Sequence, residues 1–173
     1  MANQLAQLPL PLPEVLEQWL TLNAEFHVLI CHSADCRQAL SPGAISRHLR
    51  DKHQVKIELR KQADQYIEQW QWPYDFQSVP LPPDGSSPQP IIPVVDGYQC
   101  RDCKFATQSR KAGRVHGNIK HSKKQVKDEE IFQAVRLQTW VKEKRARYWV
   151  VDENKEVLYA LPSPGPKTDA DRQ

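Results

Sequence analysis

The sequence predicts a small α+β fold: two ββα-like segments joined by a helix and a proline-rich connector, with a β-hairpin towards the C-terminal end. Three observations carry that prediction. The four cysteines fall in two pairs, each followed by a pair of histidines: Cys31-x4-Cys36-x11-His48-x4-His53 and Cys100-x2-Cys103-x12-His116-x4-His121. Seven of the 21 residues from Pro73 to Pro93 are proline. Beyond the second Cys/His set, Val135, Leu137, Thr139 and Val141 alternate with Arg136, Gln138 and Trp140, which is a strand period.

Zinc takes four soft-to-borderline donors in a tetrahedron. Thiolates from a tight turn and imidazoles from the following helix supply them without long loop closure. Both sets have that order and no cysteine is left over, so the sequence predicts two zinc ions. One is held by Cys31, Cys36, His48 and His53, the other by Cys100, Cys103, His116 and His121. Four buried thiols beside surface histidines would have to produce the same ligand order twice in 173 residues. His27 and His32 stand outside both sets and read as solvated or strand-borne.

A charged fraction of 26% with 39% hydrophobic residues is the composition of a globular chain. The longest apolar run, Val28 to Cys31 behind Phe26, is too short to span a bilayer. The opening MANQLAQLPLPLP lacks the basic start and continuous apolar stretch of a signal peptide. The chain is therefore expected to be intracellular, where thiols stay reduced and available to metal.

In the first segment Leu29, Leu40 and Ile45 stand where a finger places its miniature core. Ser41-Pro42 reads as an N-cap followed by proline at the first helical position. On an ideal helix two histidines five residues apart point roughly 140° apart, so the last turn must tighten or loosen near Asp51-Lys52. In the second segment Tyr98 and Phe105 flank the cysteines and Val115 and Ile119 can line one helix face. Thr107 and Gly113 occupy places where a finger usually has large apolar residues. Gly113 and Gly117 each cost about 1 kcal/mol in a helix interior, which structural zinc outweighs.

Between the two sets, residues 55–70 place Val55, Leu59, Ala63, Tyr66 or Ile67, and Trp70 at helical spacing, an amphipathic helix leaving the first finger. The prolines that follow argue for an extended connector, which is expected to isolate the two segments, ahead of an SH3 or WW ligand. Tyr148 to Val151 is expected to pair with the 135–141 strand across KEKRAR, with EVLYAL as a third strand; a helix over 129–141 is the competing reading. The domain reading is 1–72 for the first finger with its helix, 73–97 for the connector, 98–160 for the second finger with its hairpin, and 161–173 for a disordered tail.

The order of these features resembles the fungal OrsD-type family. HVLIC opens a first Cys/His finger ending in HLRDKH; a helix, a proline-rich link and DGYQC opening a second finger follow, then VRLQTW and RYWVV. The resemblance spans about residues 14–152. It implies two zinc-binding segments in one compact module, with the eight ligands named above, in a family whose biochemical activity is not defined.

Charge carries the expectation about partners. Residues 100–127 hold nine of the chain's 24 lysines and arginines and one of its 21 acids. That is the footprint of a polyanion partner, although a solvated face or a nuclear-import signal looks similar. The sequence thus predicts a nuclear protein that binds nucleic acid through phosphates, using Arg101, Lys104, Arg110, Lys111, Arg114, Lys120, Lys123 and Lys124. Sequence readout is expected to be slight. The base-reading positions would be Ser41, Ala44 and Arg47, then Ser109, Ala112 and Val115, of which Arg47 alone suits a bidentate guanine contact. The alternative partner is a protein, met through Trp70, Trp72, Tyr74 and Phe76, with zinc purely structural. His116-Gly117-Asn118 superficially resembles ββα metal nucleases, but both histidines are needed to close the zinc site. No catalytic residue, small-molecule substrate or membrane contact is expected.

Overall fold

The computed structural model describes residues 10–69, 76–142 and 146–155. Its centre is a short strand covered on both faces. β2 (Val28–Cys31), the apolar run of the sequence, has all four residues buried. β1 (Leu20–Asn23) and β3 (Gln38–Leu40) flank it antiparallel, with Leu20 opposite Cys31 and Leu29 opposite Leu40. The β1–β2 turn closes on Asn23, whose side-chain oxygen accepts from the Phe26 amide at 3.1 Å, and His27 turns the chain at φ 53°.

Successive strand residues point to opposite faces, so β2 feeds two cores. On one face Leu29 and Cys31 meet Ile45 and Leu49 of α1 (Ile45–His53) and Ala63 and Tyr66 of α2 (Ile57–Glu68). Leu12, Leu16 and Leu20 close this core from the N-terminal side. The amphipathic helix expected over 55–70 is α2, and Leu59, Ala63, Tyr66 and Ile67 supply its stripe. Trp70 lies outside the described residues.

The second half contains β4 (Val95–Cys100), β5 (Ala106–Thr107), α3 (Arg110–His121), the single turn α4 (Asp128–Ile131), β6 (Phe132–Thr139) and β7 (Tyr148–Val150). The expected hairpin forms, with Leu137 opposite Val150 and Thr139 opposite Tyr148. It is no appendage, however. The other edge of β6 pairs with β4 from Val95↔Leu137 to Cys100↔Phe132, giving one sheet in the order β5-β4-β6-β7. EVLYAL (156–161), the tail 161–173 and residues 143–145 of the basic turn lie outside the described residues.

α3 presents the face opposite to the one expected. Val115 is 47% exposed and Ile119 71%, while Gly113 and Gly117 are buried. The α4–β6 junction explains the reversal. A Cβ on Gly113 would stand 3.0 Å from the Phe132 ring, and one on Gly117 would run into the Ile131 side chain. The apolar volume that a finger helix usually brings itself comes here from the next element, and glycine lets that element approach.

The second face of β2 joins the halves. Val28, Ile30 and Ala39 pack with Val79 and Ile92 of the proline-rich stretch and with Trp140, Val141, Trp149 and Val151 of the second half. The Phe26 and Trp140 rings lie 5.4 Å apart and those of Trp140 and Trp149 4.8 Å. As the prolines imply, residues 76–94 form no helix or strand beyond an isolated bridge from Ser86 to Val151. They are nonetheless a packed strap. Prolines leave a segment rich in carbonyls and poor in N–H donors, so burying it requires donors from elsewhere. Gln138, fully buried, donates to the carbonyls of Gln89 (2.9 Å) and Ile92 (2.7 Å) and accepts from the Gln89 amide at 2.7 Å. The Trp140 indole donates to Pro80 (3.2 Å), and Arg147 donates to Gln77 (2.6 Å) and Val79 (3.0 Å).

Candidate metal centres

Each centre takes one thiol from a strand end, one from the turn after it, and two imidazoles from the next helix. Cys31 ends β2, and the turn to Cys36 closes through Ser33, whose carbonyl accepts from the Cys36 amide at 2.9 Å. Cys100 ends β4, its amide donating to the Phe105 carbonyl at 2.8 Å, and the Phe105 amide points at the Cys103 sulfur at 3.5 Å. α1 is entered through the 3-10 turn Pro42–Ala44. Ser41 precedes it as expected but makes no side-chain cap bond. α3 has a true cap that the sequence reading passed over: Ser109 Oγ accepts from the Ala112 amide at 3.2 Å. Serine directly before a basic helical run was the available signal.

The problem of two histidines five residues apart is solved at the helix ends by loosening. Gln54 and Ser122 adopt left-handed conformations, φ 53° and 54°. The Gln54 amide donates to the Arg50 carbonyl at 3.1 Å and also reaches that of Leu49, to which the Val55 amide donates at 3.1 Å; the amides of Ser122 and Lys123 reach back to the Gly117 carbonyl. The contacts to Leu49 and Gly117 span five and six residues instead of four. A turn widened in this way rotates less per residue, which brings the second histidine round towards the first.

The donor atoms then converge. His53 Nε2 lies 3.2 Å from Cys31 Sγ, 3.5 Å from Cys36 Sγ and 3.2 Å from His48 Nε2. In the second centre His116 Nε2 lies 3.2 Å from Cys103 Sγ and 3.3 Å from His121 Nε2. Within each set all four donor atoms fall within 4.8 Å of one another. A tetrahedral ion with bonds of about 2.0 Å to nitrogen and about 2.3 Å to sulfur sets edges of about 3.3 Å between nitrogens and about 3.5 Å between nitrogen and sulfur. The observed edges match. Hydrogen bonding does not account for them as well, because one Nε2 cannot serve three such neighbours with a single proton. The residues fit zinc. They differ in shielding: Cys31, Cys36 and Cys100 are buried, whereas Cys103 is exposed.

Burial, followed by the adjoining Cys36 thiol, pushes Cys31 up to about 11, and desolvation raises Cys103 as well. His48 and His116 move the other way, held below the usual imidazole value first by burial and then by the partner histidine and a neighbouring lysine. At neutral pH the metal therefore displaces a thiol proton at each centre, while these two imidazoles are already neutral. The metal-free form binds more protons, so acid favours release. Affinity is expected to fall at least about tenfold per pH unit from about pH 8 to 6, with proton release on loading, measured by chelator competition in a weakly buffered indicator solution. Affinity independent of pH would overturn this.

Of the eight basic side chains expected to meet phosphate, four are engaged within the fold. Arg101 donates to the Glu129 carbonyl at 2.7 Å. Arg114 grips Asp128 through two bonds of 2.6 and 2.8 Å, which holds that carboxyl below its usual range. Arg110 reaches the same carboxylate at 3.4 Å and lies over the Tyr98 ring. Lys123 pairs with Asp102 at 2.5 Å. Lys104, Lys111, Lys120 and Lys124 remain exposed and without a partner among the described residues. Ser41, Ala44 and Arg47 line a cleft with Phe76 and Val141, so this face of α1 looks onto the strap. Of the expected aromatic cluster, Phe76 packs against the shared core, and Trp70, Trp72 and Tyr74 lie outside the described residues.

Two Cys2His2 donor sets in a small α+β fold define the class: a protein with two candidate metal centres, each able to hold zinc. Comparison with known proteins supplies the family. The OrsD family model, described as orsellinic acid/F9775 biosynthesis cluster protein D, matches residues 18–124, a span that holds all eight donors, and the chain belongs to that family. A protein of Emericella nidulans named Orsellinic acid/F9775 biosynthesis cluster protein D is 29% identical over 139 residues, 79% of this chain and 26% of that protein. The chain thus spans about a quarter of that relative's length. No solved structure matches it.

Proposed function

We propose that this chain is a non-catalytic binding module, that two zinc ions hold it in finger-like strand–strand–helix settings, and that its second half meets the partner. The convergence of two sulfurs and two nitrogens at each centre carries the reading, since that donor set and geometry suit zinc. When the protein fills all four positions, none is left for water or substrate. Native mass spectrometry tests the proposal. Two zinc ions per chain support it, and a single ion shows that one set is not a site, the more exposed second set being the first suspect.

Nucleic-acid binding is a second reading, favoured by Lys104, Lys111, Lys120 and Lys124, which have no partner among the described residues. If all four meet phosphate, log K should fall against log salt with a slope of about −3.6 on duplex DNA, with little sequence preference. Replacing Lys111 and Lys120 by alanine should reduce that slope by up to about 1.8. Nuclear location belongs to this reading. Titrations across salt concentrations check it, and no affinity for DNA or RNA at low salt sinks it. Among the described residues no helix is long and apolar enough to cross a membrane.

A further inference from the structure

α1 and α3 carry their histidines in the same frame, so residues at equal offsets from the first histidine occupy equivalent faces. Ile45 and Leu49 of α1 correspond to Gly113 and Gly117 of α3, and all four are buried. Arg47 and Asp51 correspond to Val115 and Ile119, and all four are exposed. One helix carries charges on this face, where they line the cleft towards Phe76 and Val141, whereas the other meets water with apolar side chains. Phe105, 37% exposed, stacks flat on His116, the residue after Val115, at 4.0 Å between ring centroids.

This apolar face is rimmed with positive charge. Lys111 lies one turn before Val115, Lys120 adjoins Ile119, and Lys104 adjoins Phe105. Asp102 and Asp128, the acids closest in sequence to this helix, are already paired with Lys123 and with Arg110 and Arg114. We propose that the outer face of α3 docks an acidic, amphipathic helical segment of a protein partner. Apolar residues at three- and four-residue spacing on that segment would cover Val115 and Ile119, and its carboxylates would meet the lysine rim. A second copy of this chain would set lysines against lysines. A phosphate backbone would use the lysines and gain nothing from Val115 or Ile119. The proposal rests on the zinc reading, because the second ion holds α3 in place.

The test begins with a zinc count on the full chain. The chain is then screened against a displayed library of random peptides of about 16 residues. Enriched peptides are expected to be net negative, with apolar residues at helical spacing. Their affinity should fall at least about tenfold in the double variant Val115→Ser, Ile119→Ser. Both sites are exposed, so the variant's zinc count and circular dichroism should match the parent's. Enrichment without that pattern, or affinity unchanged in the variant, overturns the proposal. Loss of duplex-DNA affinity in the variant overturns it in favour of nucleic acid, and self-association abolished by the variant does so in favour of a second copy. A parent chain holding fewer than two zinc ions fails the metal reading and removes the premise that α3 is held.

Discussion

Chelating the zinc is expected to unfold both halves of this chain in a single transition. Structural zinc sites contribute about 10–16 kcal/mol in isolated fingers, as much as the about 5–15 kcal/mol net stability of a whole domain. Neither half should therefore survive loss of its ion. The two losses should also be coupled, because β2 serves both cores: Leu29 and Cys31 line the first metal centre's core, and Val28 and Ile30 lie against Trp140 and Trp149. If β2 is freed at the first centre, the second half loses the surface on which its tryptophans pack. Cys36→Ser should accordingly reach beyond its own finger and alter the near-ultraviolet dichroism of the tryptophans. This departs from what a proline-rich spacer suggests on paper. Two well-separated transitions on graded chelation, or a Cys36→Ser chain whose second half keeps native amide-exchange protection, would show that the halves are independent.

Gln138→Leu is expected to cost about 3 kcal/mol or more. The side chain is fully buried and replaces donors and acceptors that the strap cannot find elsewhere. Leucine preserves most of the volume but orphans the Gln89 amide and the carbonyls of Gln89 and Ile92, at about 1–3 kcal/mol for each buried group left unsatisfied. The strap should then loosen, and Val79 and Ile92 should leave the shared core. Urea denaturation measures the loss, and limited proteolysis between residues 76 and 94 under native conditions locates it. Gln138→Glu should fare no better, since it would turn a carboxylate towards two carbonyl oxygens. A midpoint shift equivalent to less than about 0.5 kcal/mol would mean that water replaces the side chain without cost.

The sequence alone picked out the eight candidate donors and α2 with its apolar stripe, and offered the pairing of β6 with β7 beside a competing helix. Those features are local. Ligand chemistry shows in residue type and spacing, helix and strand in periods of a few residues, and a hairpin in two alternating runs close together along the chain. Tertiary structure alone decided that β1 completes the first sheet, that β4 pairs with β6 over its whole length, and that the prolines form a buried strap. It also decided which way α3 faces. Nothing within Arg110–His121 marks Gly113 and Gly117 as the inward residues, because the groups that fill their space, Ile131 and Phe132, arrive ten or more residues later. The same holds for the basic cluster, where Asp128 occupies Arg110 and Arg114 from across a fold contact. Residue type states what a side chain can bind, but burial and pairing depend on which surface reaches it first, and that is a property of the packed chain.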